Sequence, residues 1–275
     1  MEEVRFTVLG SGSSGNATYL EAGETRLLID CGFSARQIKQ RLATIKRIPD
    51  RLDGILVTHE HSDHIKGPKN LAVKLGIPIY CNRLTSEEIN YAQPASYDFR
   101  LFETGQSFEI GSVGIETFSV PHDANDTVGF MLHTSAGKIV ILTDLGHATR
   151  LIADRTREAN VLLLETNHDV DLLRNCPHRP WQLKQRIMSR HGHLSNKSAA
   201  EFTETILHDN LYHIFCAHLS RECNSPELIR AEFEAVLQRN GSVNTQLTIT
   251  KQDAPSPTFL MKKDAVLAEK TFAPV

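Results

Sequence analysis

His59-Glu60-His61-Ser62-Asp63-His64 directly follows the apolar run Gly54–Thr58. The spacing is H-x-H-x-D-H. Imidazole nitrogens and carboxylate oxygens are the donor set of zinc and other divalent transition metals. His59 and His61, two apart, can converge on one ion. Asp63 and His64, in the next turn, can face a second. This ligand density exceeds what one open catalytic ion needs, so two are expected. Further ligands must come from elsewhere, and one arrangement recurs: an apolar run that ends on a donor. His122 follows Val113–Val120, Asp144 follows the run KIVILT, and His218 follows LYHIFCA. The bland alternative is a polar loop with solvated histidines and a helix-capping Asp63. Structural zinc prefers closed sets of four ligands, often with cysteine. Here seven His and Asp candidates stand without a cysteine among them, which favours an open catalytic site.

A second histidine group, Arg190-His191-Gly192-His193-Leu194-Ser195, opens a helical pattern for which Ser195 is a good N-cap. His193 is then either a chemical group or merely the residue before the cap. From Leu172 to Ala200 there is no Asp or Glu, while Arg174, Arg179, Lys184, Arg186, Arg190 and Lys197 are present. Such a stretch beside a site suits a phosphate backbone, and DNA is the expected partner of segment 174–197. Trp181 within it reads either as a base-stacking platform or as core. His168, in Glu165–Asp169, either faces the site or closes the loop after its strand.

These residues must be held by strands and helices. An apolar run, Val4–Leu9, leads into LGSGSSGN, which spells G-x-G-x-x-G with Asp30 twenty positions after Gly10. A dinucleotide site requires those glycines to open a helix. The next residues alternate as ATYLEA, turn at Gly23 and continue as RLLID, so a β-hairpin is expected and the nicotinamide reading falls. The loop is a tight turn. Its Ser13, Ser14 and Asn16, or its backbone N–H groups, can meet a ligand that comes close. Helices are expected from Ser34, over Lys69–Leu75, from a Thr85/Glu88 capping box, and over Pro180–Arg190, Ser195–His208 and Pro226–Arg239. Strands are expected at Gly54–Thr58, Phe99–Phe102, Ser107–Ile110, Val113–Val120, Val128–Thr134, Lys138–Thr143, Val161–Glu165, Tyr212–Ala217 and Thr245–Thr250. Both halves mix strands and helices. An α/β (α+β) four-layer αββα sandwich fits that order, as one domain over 1–275 with its core at about 4–250 and an uninformative tail at 262–275.

The 275 residues are 40% hydrophobic and 23% charged, an ordinary globular mixture. The net charge of −3 offers no global attraction to nucleic acid. No apolar stretch is long enough to cross a membrane, and MEEVRF does not read as a secretory signal. Five scattered cysteines without a C-x-x-C pair suggest reduced thiols in the cytoplasm.

From about Phe6 to Pro226 the chain resembles the metallo-β-lactamase superfamily, with H-x-H-x-D-H as the most specific motif. The resemblance implies His59, His61 and His122 on one ion, Asp63, His64 and His218 on the other, and Asp144 bridging. It places Asp63 in the catalytic set and makes a hydroxide between the ions the nucleophile. The metals would be zinc or manganese. GHLSN resembles the loop of transfer-RNA 3′-processing nucleases whose histidine assists proton transfer, which points to His193; AHLSRECN supports His218. GSGSSGN, HEHSDHIKG, TDLG, ETNHD, PWQLKQRI and GHLSN together resemble the bacterial YycJ/WalJ-type branch. That likeness implies a metal-dependent 5′→3′ DNA exonuclease. In that reading Lys184, Arg186 and Arg190 of the acid-free stretch are the candidate phosphate contacts, and His168 is a candidate catalytic group if it faces the site. Two departures count against RNA substrates. The Asp144–His218 interval is too short for a large cap domain, and the His122–Asp144 interval leaves no room for a protruding arm. The competing reading is a small-molecule hydrolase of a lactone, thioester or cyclic phosphodiester on the same metal site.

Overall fold

The computed structural model describes residues 3–241 and 244–262. Most of the tail expected at 262–275 therefore lies outside the described residues. The first half begins with β1 (Glu3–Gly10), β2 (Ala17–Ala22), β3 (Thr25–Ile29) and α1 (Ala35–Thr44). It continues through β4 (Gly54–Leu56), α2 (Ser62–Ile65), α3 (Pro68–Leu75), β5 (Ile79–Cys81), α4 (Arg83–Ala92) and β6 (Phe99–Leu101). The second half runs β7 (Ser107–Ile110), β8 (Val113–Ser119), β9 (Val128–Thr134), β10 (Gly137–Leu142), α5 (Arg150–Thr156) and β11 (Val161–Glu165). Then come α6 (Val170–Asn175), α7 (Trp181–Ile187), α8 (Asn196–Ile206), β12 (His213–Ala217), α9 (Pro226–Arg239), β13 (Gln246–Ile249) and β14 (Phe259–Lys262).

The strands form two sheets of seven, ordered β14-β1-β2-β3-β4-β5-β6 and β13-β12-β11-β10-β9-β8-β7. Each sheet starts with antiparallel neighbours and finishes with parallel ones, β3 to β6 in the first and β10 to β13 in the second. Parallel strands buried on both faces read as continuous apolar runs, as GIL, VLLLE and HIFCA do here. Phe6, Leu20 and Ile29 of the first sheet meet Phe130, Ile139 and Phe215 of the second in the central core. Ile38, Leu42, Leu71 and Ile89 cover the outer face of the first sheet. Ile152, Phe202, Ile206 and Phe233 cover that of the second. The layers are thus helix, sheet, sheet, helix, the expected sandwich.

Several expected details change. The helix assigned to a Thr85/Glu88 box is capped by Asn82, whose side chain accepts from Thr85 N at 2.9 Å, so it starts earlier. The short elements α2, α5, α6, β5 and β14 escaped the pattern reading, because three to seven residues show too little of any period. The glycine loop does join a hairpin, with β1 paired antiparallel to β2. A Cβ on Gly10 would strike the Arg41 guanidinium, the Phe33 ring and the Gln252 carbonyl. That glycine therefore serves close packing, with no helix dipole aimed at a cofactor. Among the described residues no helix is long and apolar enough to cross a membrane.

Candidate metal centre

One edge of the sandwich collects six donor-bearing strand ends. Asp30 follows β3, His59 to His64 follow β4, and His122 follows β8. Asp144 follows β10, Glu165 ends β11, and His218 follows β12. Three of these residues hold left-handed backbone: Asp30 (φ 59°), Asp144 (φ 54°) and His218 (φ 58°); Lys46 is the other non-glycine with positive φ among the described residues. Such a conformation costs a side-chain-bearing residue about 1–2 kcal/mol. Its concentration here means that packing forces the chain to turn sharply and aim each donor inward. The loop after β4 is fixed by its backbone. Asn16 N donates to Asp63 O, Cys31 N to His64 O and His64 N to His61 O, each at 2.8 Å. Gly32 makes this seating possible, since a Cβ there would overlap the Asp63 carbonyl.

Donor atoms within 4.8 Å of one another fall into the groups His59/His61/His122, Asp63/His64/His218, His59/His64/Asp144 and Asp144/Glu165/His193/His218. The first two are the triads that the family resemblance implies, and Asp144 joins groups on both sides. Two buried donor atoms of these groups lack partners, and others crowd face to face. His59 Nε2 and Asp144 Oδ2 are buried without a hydrogen-bond partner, and Asp144 Oδ2 lies only 3.0 Å from His64 Nε2. His122 Nε2 is 3.2 Å from His61 Nδ1, and His218 Nε2 is 3.2 Å from Asp63 Oδ2. Buried polar atoms left this way are costly in a protein interior, and divalent cations match the donor set.

The far nitrogens are fixed by a surrounding layer. Asp30 Oδ2 accepts from His64 Nδ1 at 2.8 Å, and Asp30 Oδ1 accepts from Thr58 N and Oγ1. The Thr58 hydroxyl in turn sits 3.0 Å from His59 Nδ1. Gly192 O accepts from His122 Nδ1 at 3.0 Å. Glu165, fully buried, accepts from His218 Nδ1 at 2.7 Å and His193 Nδ1 at 2.8 Å, and its other oxygen accepts from Leu145 N and Leu194 N. Each of these bonds places the proton on Nδ1 and leaves Nε2 for the centre, the usual way a metal-binding imidazole is oriented.

Electrostatics divide the cluster. Burial, together with the neighbouring imidazoles, holds His59 well below the ordinary histidine value, and burial lowers His122. Burial also opposes charge on His64, but Asp30, Asp144 and Asp63 prevail and raise it well above that value. His218 is raised in the same way by Asp144, Asp63 and Glu165. Burial pushes the carboxylates up, yet the surrounding imidazoles keep Asp63 and Asp144 well below the carboxylate range and bring Glu165 down to about 2. His193 is raised against burial by Glu165 and Asp144.

The centre opens into a pocket of about 200 Å³ whose floor includes His61, Asp63, Asp144, His193 and His218. Ser13, Asp123, Arg179, Leu183 and Arg186 stand around it. Of the expected substrate contacts, Ser13 and Arg186 line this pocket. Ser14 is exposed on the same loop but outside the lining. Asn16 is turned inward: its amide lies 3.1 Å from both Asp63 Oδ2 and His64 Nε2, so it positions the cluster and is not open to substrate. Lys184 is buried and donates to Arg174 O at 2.7 Å, pointing away from the pocket. Arg190 is exposed and packs on His147, 2.9 Å away, outside the pocket lining. His168 is buried, lowered to about 4 by burial, and lies outside the lining. Trp181 is 57% exposed and so is not core. Sequence reasoning missed Asp30, Asp123 and Glu165 as site residues, and named Arg179 only within the basic segment 174–197. The strand-end pattern offered Asp30 (RLLID) and Glu165 (VLLLE) on the same terms as the rest.

A family model described as a beta-lactamase superfamily domain matches residues 25–214. Exodeoxyribonuclease WalJ of Streptococcus pneumoniae is 40% identical over 228 residues, covering 82% of this chain and 84% of its own. Exodeoxyribonuclease YycJ of Bacillus anthracis is 35% identical over 259 residues, covering 93% and 97%. Among solved structures, the metallo-β-lactamase fold protein YhfI of Bacillus subtilis superposes with a TM-score of 0.71 at 16% identity, covering 94% of this chain and all of that one.

Proposed function

The chain belongs to the metallo-β-lactamase superfamily, and from that premise we propose that it is a two-metal hydrolase of DNA phosphodiester bonds, a 5′→3′ exonuclease. The observation that carries the reading is one pocket whose floor takes His61 from the all-histidine triad, Asp63 and His218 from the other triad, and Asp144, with two arginines, Arg179 and Arg186, on its wall. The exonuclease names of the two long-covering relatives support the same substrate. His59, His61 and His122 would hold one ion, Asp63, His64 and His218 the other, with Asp144 between them. Zinc suits the imidazoles and manganese the carboxylates. When bound, such ions supply an activated water and Lewis acidity at a phosphoryl oxygen.

The chain's own groups do the rest. Arg186 and Arg179 draw a phosphodiester toward the floor and fix its direction. Glu165 keeps a proton on Nδ1 of His193 and supports positive charge on that ring, so His193 Nε2 can donate a proton to the departing oxygen. Asn16 and Asp30 hold their ligands still while charge moves. The five cysteines are free and buried, which fits a reducing compartment, and we place the enzyme in the cytoplasm.

The test is cleavage of 5′- and 3′-labelled single-stranded DNA and RNA with Mn²⁺, Zn²⁺ or chelator, beside His61→Ala. Metal-dependent DNA loss absent from the variant, with label released first from the 5′ end, is expected. No cleavage by protein that holds its metals would shift the substrate to a small ester or cyclic phosphodiester.

A further inference from the structure

Both arginines that face the pocket are already engaged. Arg179 Nε donates to Glu222 Oε2 at 3.1 Å, and one of its Nη groups lies 3.4 Å from Ser220 Oγ. Arg186 Nε donates to Asp123 Oδ2. The two carboxylates sit on the loops of two cluster histidines. Asp123 directly follows His122, with Oδ1 3.4 Å from His122 Nε2. Glu222 lies one turn of loop beyond His218. The two arginines come from α7 and the turn before it, inside the acid-free stretch. Two ion pairs therefore tie this one segment to two ligand loops around a single pocket.

Neither pair is sealed from water. Side-chain exposures are 21% and 53% for Arg179 and Glu222, and 62% and 27% for Arg186 and Asp123. Ion pairs this exposed are weak and are screened by salt. Only Nε of each guanidinium meets its carboxylate in a hydrogen bond, so the Nη groups of Arg186, and the Nη of Arg179 that does not meet Ser220, keep N–H groups that suit phosphate oxygens. A carboxylate imitates a phosphate oxygen pair in charge sign and in how it meets a guanidinium.

We propose that Arg179 and Arg186 are two phosphate subsites for a DNA strand, and that Glu222 and Asp123 occupy them in the free protein and yield them when the strand enters. The proposal rests on the nuclease reading above and adds a specificity device to it. Each arriving phosphate has a carboxylate to displace. A single phosphate group gains little from one such exchange, whereas a strand that engages both arginines and the metal floor gains from all. The carboxylates return when the product leaves, which favours release.

The experiment measures binding of a short fluorescent single-stranded phosphorothioate DNA to the metal-loaded full chain across a range of salt. Arg179→Gln and Arg186→Gln should weaken binding, each lowering the slope of log affinity against log salt by about 0.7. Glu222→Gln and Asp123→Asn should tighten binding by about two- to fivefold, the range an exposed pair allows. Metal content is measured on every variant because Asp123 lies beside His122. Glu222→Gln decides the matter, since Glu222 is not in any of the donor groups. If it binds no tighter than the wild type, or if Arg179→Gln leaves the salt slope unchanged, the pairs merely dock α7 and the proposal fails. A wild-type chain that takes up no DNA at any salt overturns the nuclease reading itself.

Discussion

At the scale of single residues, Glu165 does the most for its size. Its two oxygens accept from His193, His218, Leu145 and Leu194. Glu165→Gln keeps the volume but turns one acceptor into a donor, so two imidazoles lose a defined proton position. Turnover should drop about 10- to 100-fold, as for other residues that orient ligands. Steady-state cleavage with metal analysis checks this, and an unchanged rate would remove Glu165 from the mechanism. Asp30→Asn should weaken metal affinity by a similar factor through His64 and Thr58, readable by competition with a chelator. Both residues obey the rule that revealed His122, Asp144 and His218, an apolar strand ending on a donor. Asp30 was weighed only as the acidic residue of a dinucleotide pattern, and Glu165 only as part of a resemblance. The opposite error befell Lys184 and Asn16. Nearness in sequence does not fix direction: residues two apart on a helix point to different sides, so Arg186 reaches the pocket while Lys184 turns inward.

At the scale of elements, the site depends on a few close approaches. Gly32→Ala would push the turn after β3 against the Asp63 carbonyl. Stability should fall by about 1–3 kcal/mol, and metal occupancy with it. Denaturant unfolding measures the first and elemental analysis the second. β12 carries its own pH sensitivity. His213 is buried between the rings of Phe215 and Phe259, with Nε2 2.8 Å from Thr248 Oγ1, and burial lowers it to about 4. The unfolded chain binds that proton near the ordinary value of about 6.5. The neutral ring's contribution is therefore whole above pH 6.5 and is lost as pH falls through 4, roughly 3 kcal/mol in all. Unfolding of wild type and His213→Gln at neutral and mildly acid pH should show the larger loss in the wild type. An equal loss would refute this origin. Runs such as VLLLE and HIFCA were legible because buried parallel strands are near-continuously apolar between their ends. The one-turn α2 was not, since its conformation follows from the ligand loop and not from any periodicity.

At the scale of the whole molecule, neither half owns the centre. Asp30 and His59 to His64 come from the part of the chain that builds the first sheet, and His122, Asp144, Glu165, His193 and His218 from the part that builds the second. Bound ions would brace the halves together. At one hundred times the dissociation constant a single ligand adds about 2.7 kcal/mol. Chelation should thus lower Tm by roughly 5–10 °C, measured by calorimetry before and after metal is returned. A Tm that ignores both steps would mean the ions brace nothing. The layered sandwich was readable from the order of strands and helices. That β14 leaves the second sheet and pairs with β1 was not, because a four-residue strand gives no long-range signal. This return has a kinetic consequence. Thr7 and Thr258 touch across 251 positions, so a chain made from its N-terminus builds the whole second sheet before β1 gains its outer neighbour. Until then β1 is an open edge, free to pair with another chain. Late closure of so distant a contact makes synthesis an interval of aggregation risk, because the β1 edge stays open until β14 arrives.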